Sequence, residues 1–73
     1  MRHGKKLIAS NKPQDYQAVD IVTWMLPVNL PHIGIVANQR SDDGVRPLIV
    51  HNIGAGSKME DMIFDYKVTG HYR

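Results

Sequence analysis

The chemistry this chain can offer rests on two histidines carried by short apolar runs. His32 opens the run His32-Ile33-Gly34-Ile35-Val36, and His51 sits inside Ile49-Val50-His51-Asn52-Ile53-Gly54. A polar loop separates the two runs, so they read as adjacent antiparallel strands. In such a pair, side chains share a face when they lie opposite, or an even number of positions out of register. A two-residue turn at Asp43-Gly44 brings both rings to one face, and so do longer loops centred on Asp42-Asp43. In the middle one of these registers His51 lies opposite Gly34 and diagonal to His32, with Cβ atoms ~7–8 Å apart or less. One imidazole can then orient the other, which is the logic of a general base held in place within a nucleophile–base–orienter triad. Gly34 would leave open space beside the pair for a substrate. The usual thiol partner is missing, because the sequence contains no cysteine. The plainer alternative is that both rings are incidental, His32 at a strand entrance and His51 satisfied within a sheet.

Other chemistries fit less well. His3, His32, His51 and His71 could ligate zinc by type, but no pair has the i, i+4 spacing of a helical site. Neither a metal nor any other cofactor is expected. Ser10, Ser41 and Ser57 are hydroxyl nucleophiles by chemistry alone, and Ser57 is nearest to the histidines by topology. Gly54-Ala55-Gly56-Ser57 reads as a flexible loop edging the histidine site, with Gly34, Gly54, Gly56 and Ser57 as candidate ligand-binding positions. It lacks the Lys-Ser or Lys-Thr and the following helix of a phosphate-binding loop. Trp24, Tyr66 and Tyr72 could form a stacking platform for single-stranded nucleic acid, but core and rim packing explains them more simply. Glu60, Asp61 and Asp65 read as a solvated face.

The elements that would position these residues are strands. Residues 18–26 are rich in β-branched and aromatic side chains. Asp20, Val22, Trp24 and Leu26 take one face, and Ile21, Thr23 and Met25 the other. Pro27 ends this strand. Residues 32–38 and 47–53 form the histidine hairpin. Lys58-Met59-Glu60-Asp61 is a short helical turn or a loop, and 62–68 is a further strand, broken near Thr69-Gly70. Residues 1–17 lack periodicity and read as an irregular segment, the tail of a helical half that precedes the sheet. The expected domain at 18–73 is mainly β: a small antiparallel sheet of four to five strands, a partly open barrel. The two histidine strands are almost continuously apolar, which implies burial on both faces. So short a chain cannot supply that cover, so a second copy or a further segment would.

With 73 residues the chain forms one domain at most. A domain of this size buries only about 60% of its unfolded surface. The net charge of +2 and a pI of about 9.2 are too mild to indicate nucleic acid. No run approaches the ~20 apolar residues of a membrane span. The N-terminus lacks the apolar core of a signal peptide, which places the chain as written in the cytoplasm.

The blocks Asp20-Ile21-Val22-Thr23-Trp24, Leu30-Pro31-His32-Ile33-Gly34-Ile35-Val36, Arg46-Pro47-Leu48-Ile49-Val50-His51-Asn52-Ile53-Gly54-Ala55-Gly56 and Thr69-Gly70-His71-Tyr72-Arg73 succeed one another with regular spacing. Together they resemble the C-terminal half of a YijF-like bacterial family of unknown function. That family is similar in layout to the NlpC-type cell-wall peptidases of the papain-like cysteine peptidase group. The resemblance implies that the chain is the sheet half of a papain-like α+β hydrolase, facing an N-terminal helix that carries the thiol. It implies His32 as base and His51 as orienting residue, with Asn52 as a substitute, and Asp20 as a structural acid. A glycine would be expected before that acid, and Val19 departs from the pattern.

The function implied is that of a cell-wall amidohydrolase fragment that lacks its nucleophile and is inactive alone. Peptidoglycan peptides are the implied substrate class, and full-length relatives would sit in the periplasm or envelope. The alternatives are a non-catalytic β module that self-associates or binds a partner, and, further off, a nucleic-acid-binding module.

Overall fold

A computed structural model describes residues 5–53 and 56–73, without the side chain of Ile53. The strands are β1 (Lys6–Leu7), β2 (Ile21–Leu26), β3 (Leu30–Arg40), β4 (Pro47–Ile53), β5 (Gly56–Glu60) and β6 (Lys67–Tyr72). They form one six-stranded antiparallel sheet in the order β1-β6-β2-β3-β4-β5. Strands β2 to β5 succeed one another as a meander, and β6 crosses back to lie between β1 and β2. The outer strands β1 and β5 do not pair with each other among the described residues, so the sheet is not closed. Two short 3-10 turns, Pro13–Asp15 and Pro27–Asn29, punctuate it, and no α-helix occurs among the described residues.

The mainly β reading therefore holds, with more strands than the sequence announces. Strand β4 has the expected limits, and β3 extends the expected 32–38 at both ends. Lys6 and Leu7, in the segment expected to be irregular, join the sheet as β1, and β2 starts at Ile21 instead of residue 18. Two further segments differ. Lys58 to Glu60, expected as a helical turn or loop, belong to the edge strand β5, where His51 pairs with Lys58 and Ile49 with Glu60. Every residue of β5 is exposed, so no alternation of apolar and polar residues marks it; pairing along β4 defines the strand. Conversely, the apolar run from Met62 to Tyr66 is not a strand. It forms a turn, with the Asp65 N–H donating to the Met62 carbonyl at 3.1 Å, and β6 begins only at Lys67. A short apolar run signals burial without specifying conformation, and here burial is achieved by a plug.

That plug decides which face of the sheet becomes the core. Val22 and Trp24 of β2, Val36 of β3 and Ile49 of β4 point to one face, where they pack with Tyr16, Met62 and Ile63. The Trp24 indole N–H donates to the Ile63 carbonyl at 2.7 Å. This satisfies the one polar group of the buried ring, as burial requires, and pins the plug to the sheet. Arg46 holds the start of the same segment through a two-pronged contact with Asp61, both distances being 2.9 Å.

The other face is apolar but uncovered among the described residues. Ile33 is 60% exposed and Ile35 47% exposed. The expected burial of both faces is thus met on one side only.

Candidate functional site

The β3–β4 register sets the histidines. Ile35 pairs with Val50 and Val36 with Ile49; one residue further along, this register sets His51 beside Gly34 and diagonal to His32. It is the middle register of those considered from the sequence. Towards the hairpin tip the pairing shifts, so that Arg40 meets Pro47, and the Ser41 N–H closes the loop on the Arg46 carbonyl at 2.7 Å. Gly44 supplies the left-handed turn residue, with φ +73°.

His32 Nε2 lies 2.8 Å from His51 Nδ1, and the two rings meet edge-on at 87°. The indole of Trp24 sits beside His32 with ring centroids 5.9 Å apart. On its far side, His51 Nε2 lies 2.9 Å from a carboxylate oxygen of Glu60. The His51 side chain is buried, whereas Glu60 on the edge strand is partly exposed. A depression of about 290 Å³ reaches the pair on the core side of the sheet, lined by Leu26, His32, His51, Glu60, Met62, Asp65 and Tyr66. No hydrogen bond to His32 Nδ1 is made among the described residues, so that nitrogen is the one left for an incoming group.

Gly34 differs from its expected role. A Cβ placed on it would come within 2.6 Å of Ile49 Cγ2 and 3.0 Å of two Trp24 ring carbons. On the core face the space of a side chain is filled by packing, while Gly34 also lines the groove on the opposite face. Asn52 and Ser57 alternate onto the opposite face and bond each other there, Ser57 Oγ donating to Asn52 Oδ1 at 2.8 Å. They line a second groove of about 410 Å³, on the side of the sheet that carries Ile33, Ile35 and Val50, whose wall also includes His32, Gly34 and His51. Among the described residues neither Asn52 nor Ser57 hydrogen-bonds a histidine ring, although all four residues line that groove. Gly56 belongs to β5 instead of a flexible loop, and Gly54 lies outside the described residues. Ser10 donates to Asp15 at 2.7 Å, and Ser41 to Asp43 in the distant hairpin loop. Among the described residues no serine hydroxyl is hydrogen-bonded to His32 or His51. Trp24 is buried in the core and is not available as a stacking platform.

A second polar cluster surrounds Asp20. His71 Nε2 donates to Asp20 at 2.6 Å, and Arg73 donates to the same carboxylate through Nε at 3.0 Å and Nη2 at 2.9 Å. The Gln17 backbone N–H adds a further bond at 3.0 Å. Burial pushes this carboxyl up, but Arg73, Gln17 and His71 together outweigh it and hold Asp20 at about 2. Tyr16 stacks on His71 with centroids 4.1 Å apart, and burial pushes its phenol up. The cluster joins β1, β2 and β6, consistent with a structural acid. His71, engaged with Asp20, stands apart from the His32–His51 pair, and His3 lies outside the described residues. No group of three or more His, Cys, Asp or Glu among the described residues is placed to hold a metal.

Glu60 and Tyr16 were missed by sequence reasoning. Glu60 looked like part of a solvated acidic run, and its place beside His51 comes only from the β4–β5 register. The core role of Tyr16 carries no local signal, because it sits just after a 3-10 turn in a segment without periodicity.

Among the described residues, no helix is long and apolar enough to cross a membrane. No solved structure matches the chain. It is 50% identical over 72 residues to the uncharacterized protein YijF of Escherichia coli (strain K12), an alignment covering 99% of this chain and 35% of that protein. The chain thus spans about a third of the length of its curated relative. The family model described as "Domain of unknown function (DUF1287)" matches residues 1–73 in full, and the chain belongs to that family.

Proposed function

We propose that this chain forms the base-and-orienter half of a papain-like amidohydrolase site acting on peptidoglycan peptides. The observation that carries the reading is the 2.8 Å contact between His32 Nε2 and His51 Nδ1 beside an open depression. One imidazole is held by another, and no described residue hydrogen-bonds its remaining nitrogen. This is the arrangement needed by a general base next to a nucleophile. The substrate class follows what the sequence resemblance to NlpC-type peptidases implies. The thiol would come from outside these 73 residues, which contain no cysteine.

In the complete site His32 Nδ1 takes the thiol proton, and the thiolate adds to the amide carbonyl. The tetrahedral adduct then expels the amine, which receives that proton from His32. Water, deprotonated by the same imidazole, hydrolyses the resulting thioester and releases the acid and the thiol. His51 keeps the His32 ring in the orientation both transfers need. Without the thiol the chain binds but does not turn over. Peptidoglycan lies in the cell envelope, so the complete protein would work there.

The test is an NMR titration of the purified chain with soluble muropeptides, with an unrelated peptide of equal length as control. Muropeptide-specific shifts at His32, His51, Leu26, Met62 and Tyr66 are expected. Equal response to both peptides, or shifts elsewhere only, would remove the substrate assignment.

The uncovered sheet face favours a second reading, a self-associating β module. Ile33, Ile35, Met25 and Met59 are each at least 40% exposed on that face. Contiguous apolar surface of this kind marks interaction sites.

A further inference from the structure

We propose that Glu60 is a positioning residue that sets the protonation pattern of both histidine rings and so creates the basic nitrogen on His32. The inference rests on the reading of His32 as base for its purpose, but its geometry stands without it. A carboxylate can only accept hydrogen bonds. With Glu60 2.9 Å from His51 Nε2, that nitrogen must carry the hydrogen. Neutral His51 then presents a bare lone pair at Nδ1. His32 Nε2, 2.8 Å away, must donate to it. Neutral His32 is left with its lone pair on Nδ1, the nitrogen that no described residue engages. One carboxylate thus fixes two tautomers in series. A proton arriving at His32 Nδ1 makes an imidazolium that His51, held by Glu60, stabilises through its accepting Nδ1.

The reversed chain would be unproductive. If His51 carried its hydrogen on Nδ1, it would donate to His32 Nε2, and the His32 hydrogen would sit on Nδ1, where the base is needed. Two orientations of the same hydrogen bonds therefore differ in whether a base exists, and Glu60 selects between them. The other charged groups near the rings do not compete for this task. Asp65 lines the same depression without a hydrogen bond to either ring among the described residues, and Lys58, across from His51 in the ladder, can only donate.

Ring nitrogens bearing hydrogen and those bearing a lone pair have distinct 15N shifts, so long-range 15N–1H spectra of the histidine rings test the proposal without ligand or nucleophile. In the unaltered chain, both His32 and His51 are expected to show protonated Nε2 and bare Nδ1. In Glu60→Ala the bare Nδ1 signal of His32 should lose its position and move towards the protonated range. In Glu60→Lys, where an ammonium replaces the acceptor, it should move further. Glu60 is partly exposed on an edge strand, so both variants should retain the amide dispersion of the folded chain. A His32 ring protonated at Nδ1 in the unaltered chain would overturn the proposal, as would His32 shifts unchanged in both variants. Because no muropeptide is added, this outcome is independent of whether the substrate assignment survives.

Discussion

Arg73, the last residue of the chain, grips Asp20 at the start of β2 with two N–H groups, at 3.0 and 2.9 Å. The carboxylate beneath is only 2% exposed. With His71 on the same carboxylate, this contact ties β6 to β2 and draws the β1 edge against them. Arg73 is 40% exposed and stays solvated, but His71 is buried, so weakening its bond to this carboxylate costs about 1–3 kcal/mol. Asp20→Asn should therefore lower the urea midpoint strongly. An unchanged midpoint would mean that the ends of the chain are held otherwise.

The same carboxylate predicts how stability depends on acid. Its folded value of about 2 lies below the ordinary carboxylate range near 3.9. The unfolded chain therefore binds the proton first. The Asp20 contribution is fully present above pH of about 4 and is lost as pH falls towards about 2, amounting to about 2 kcal/mol. Asp43 and Asp61 are also held down, by Ser41 and Arg46 respectively, at the surface. They act in the same direction, so the comparison to make is between the unaltered chain and Asp20→Asn. Urea melts across this pH range should be steeper in their acid dependence for the unaltered chain.

Gly34 gives a packing prediction. A methyl group there meets Ile49 Cγ2 at 2.6 Å and the Trp24 ring at 3.0 Å, and both neighbours are themselves buried. Forcing extra volume into such a site costs about 1–3 kcal/mol. Gly34→Ala should reduce stability by this amount and shift the Trp24 indole N–H resonance, since the ring must move against its bond to Ile63. Unaltered stability would restore the idea of open space at this position.

Val19 makes the opposite prediction. Its φ of +75° is left-handed, a conformation that costs an L-residue about 1–2 kcal/mol and a β-branched one more. Its N–H donates to the Val36 carbonyl at 2.8 Å, and the Asp20 N–H closes back on Gln17 at 3.0 Å, so the turn is formed in spite of the side chain. The glycine that the family resemblance leads one to expect here has a physical reason. Val19 is 47% exposed, so little burial is lost on truncation. Val19→Gly should stabilise the chain by about 0.5–1 kcal/mol after allowing for the greater freedom of glycine when unfolded. A lower thermal midpoint would show that the valine contacts outweigh the strain.

The bare face of the sheet predicts association. Replacing both Ile33 and Ile35 by Lys places charge in the middle of the exposed apolar surface without touching the core face. If that face joins copies of the chain, sedimentation of the unaltered chain should show a concentration-dependent mass above the monomer. The double variant should sediment as a monomer with an unchanged amide spectrum. Equal masses for both would exclude this face as the contact.

The histidine hairpin was legible from local pattern alone. The apolar runs, the Asp43-Gly44 turn and the odd–even alternation of strands restrict His32 and His51 to one face, because a strand's side chains alternate whatever lies around it. The same local logic put Val22 and Trp24 together on one side of β2. Other features depend on pairing between distant segments and were visible only in the folded chain. Strand β5 is all exposed and has no pattern of its own, so Glu60 becomes the neighbour of His51 only through the β4 ladder. The Met62–Tyr66 run is a plug instead of a strand, because the Trp24 indole needed a carbonyl partner and the core needed a lid. Gly34 is glycine because of Trp24 and Ile49, residues that come near it only after three strands have assembled. Local patterns specify direction and face, whereas proximity across the sheet is set by register and by what must be buried.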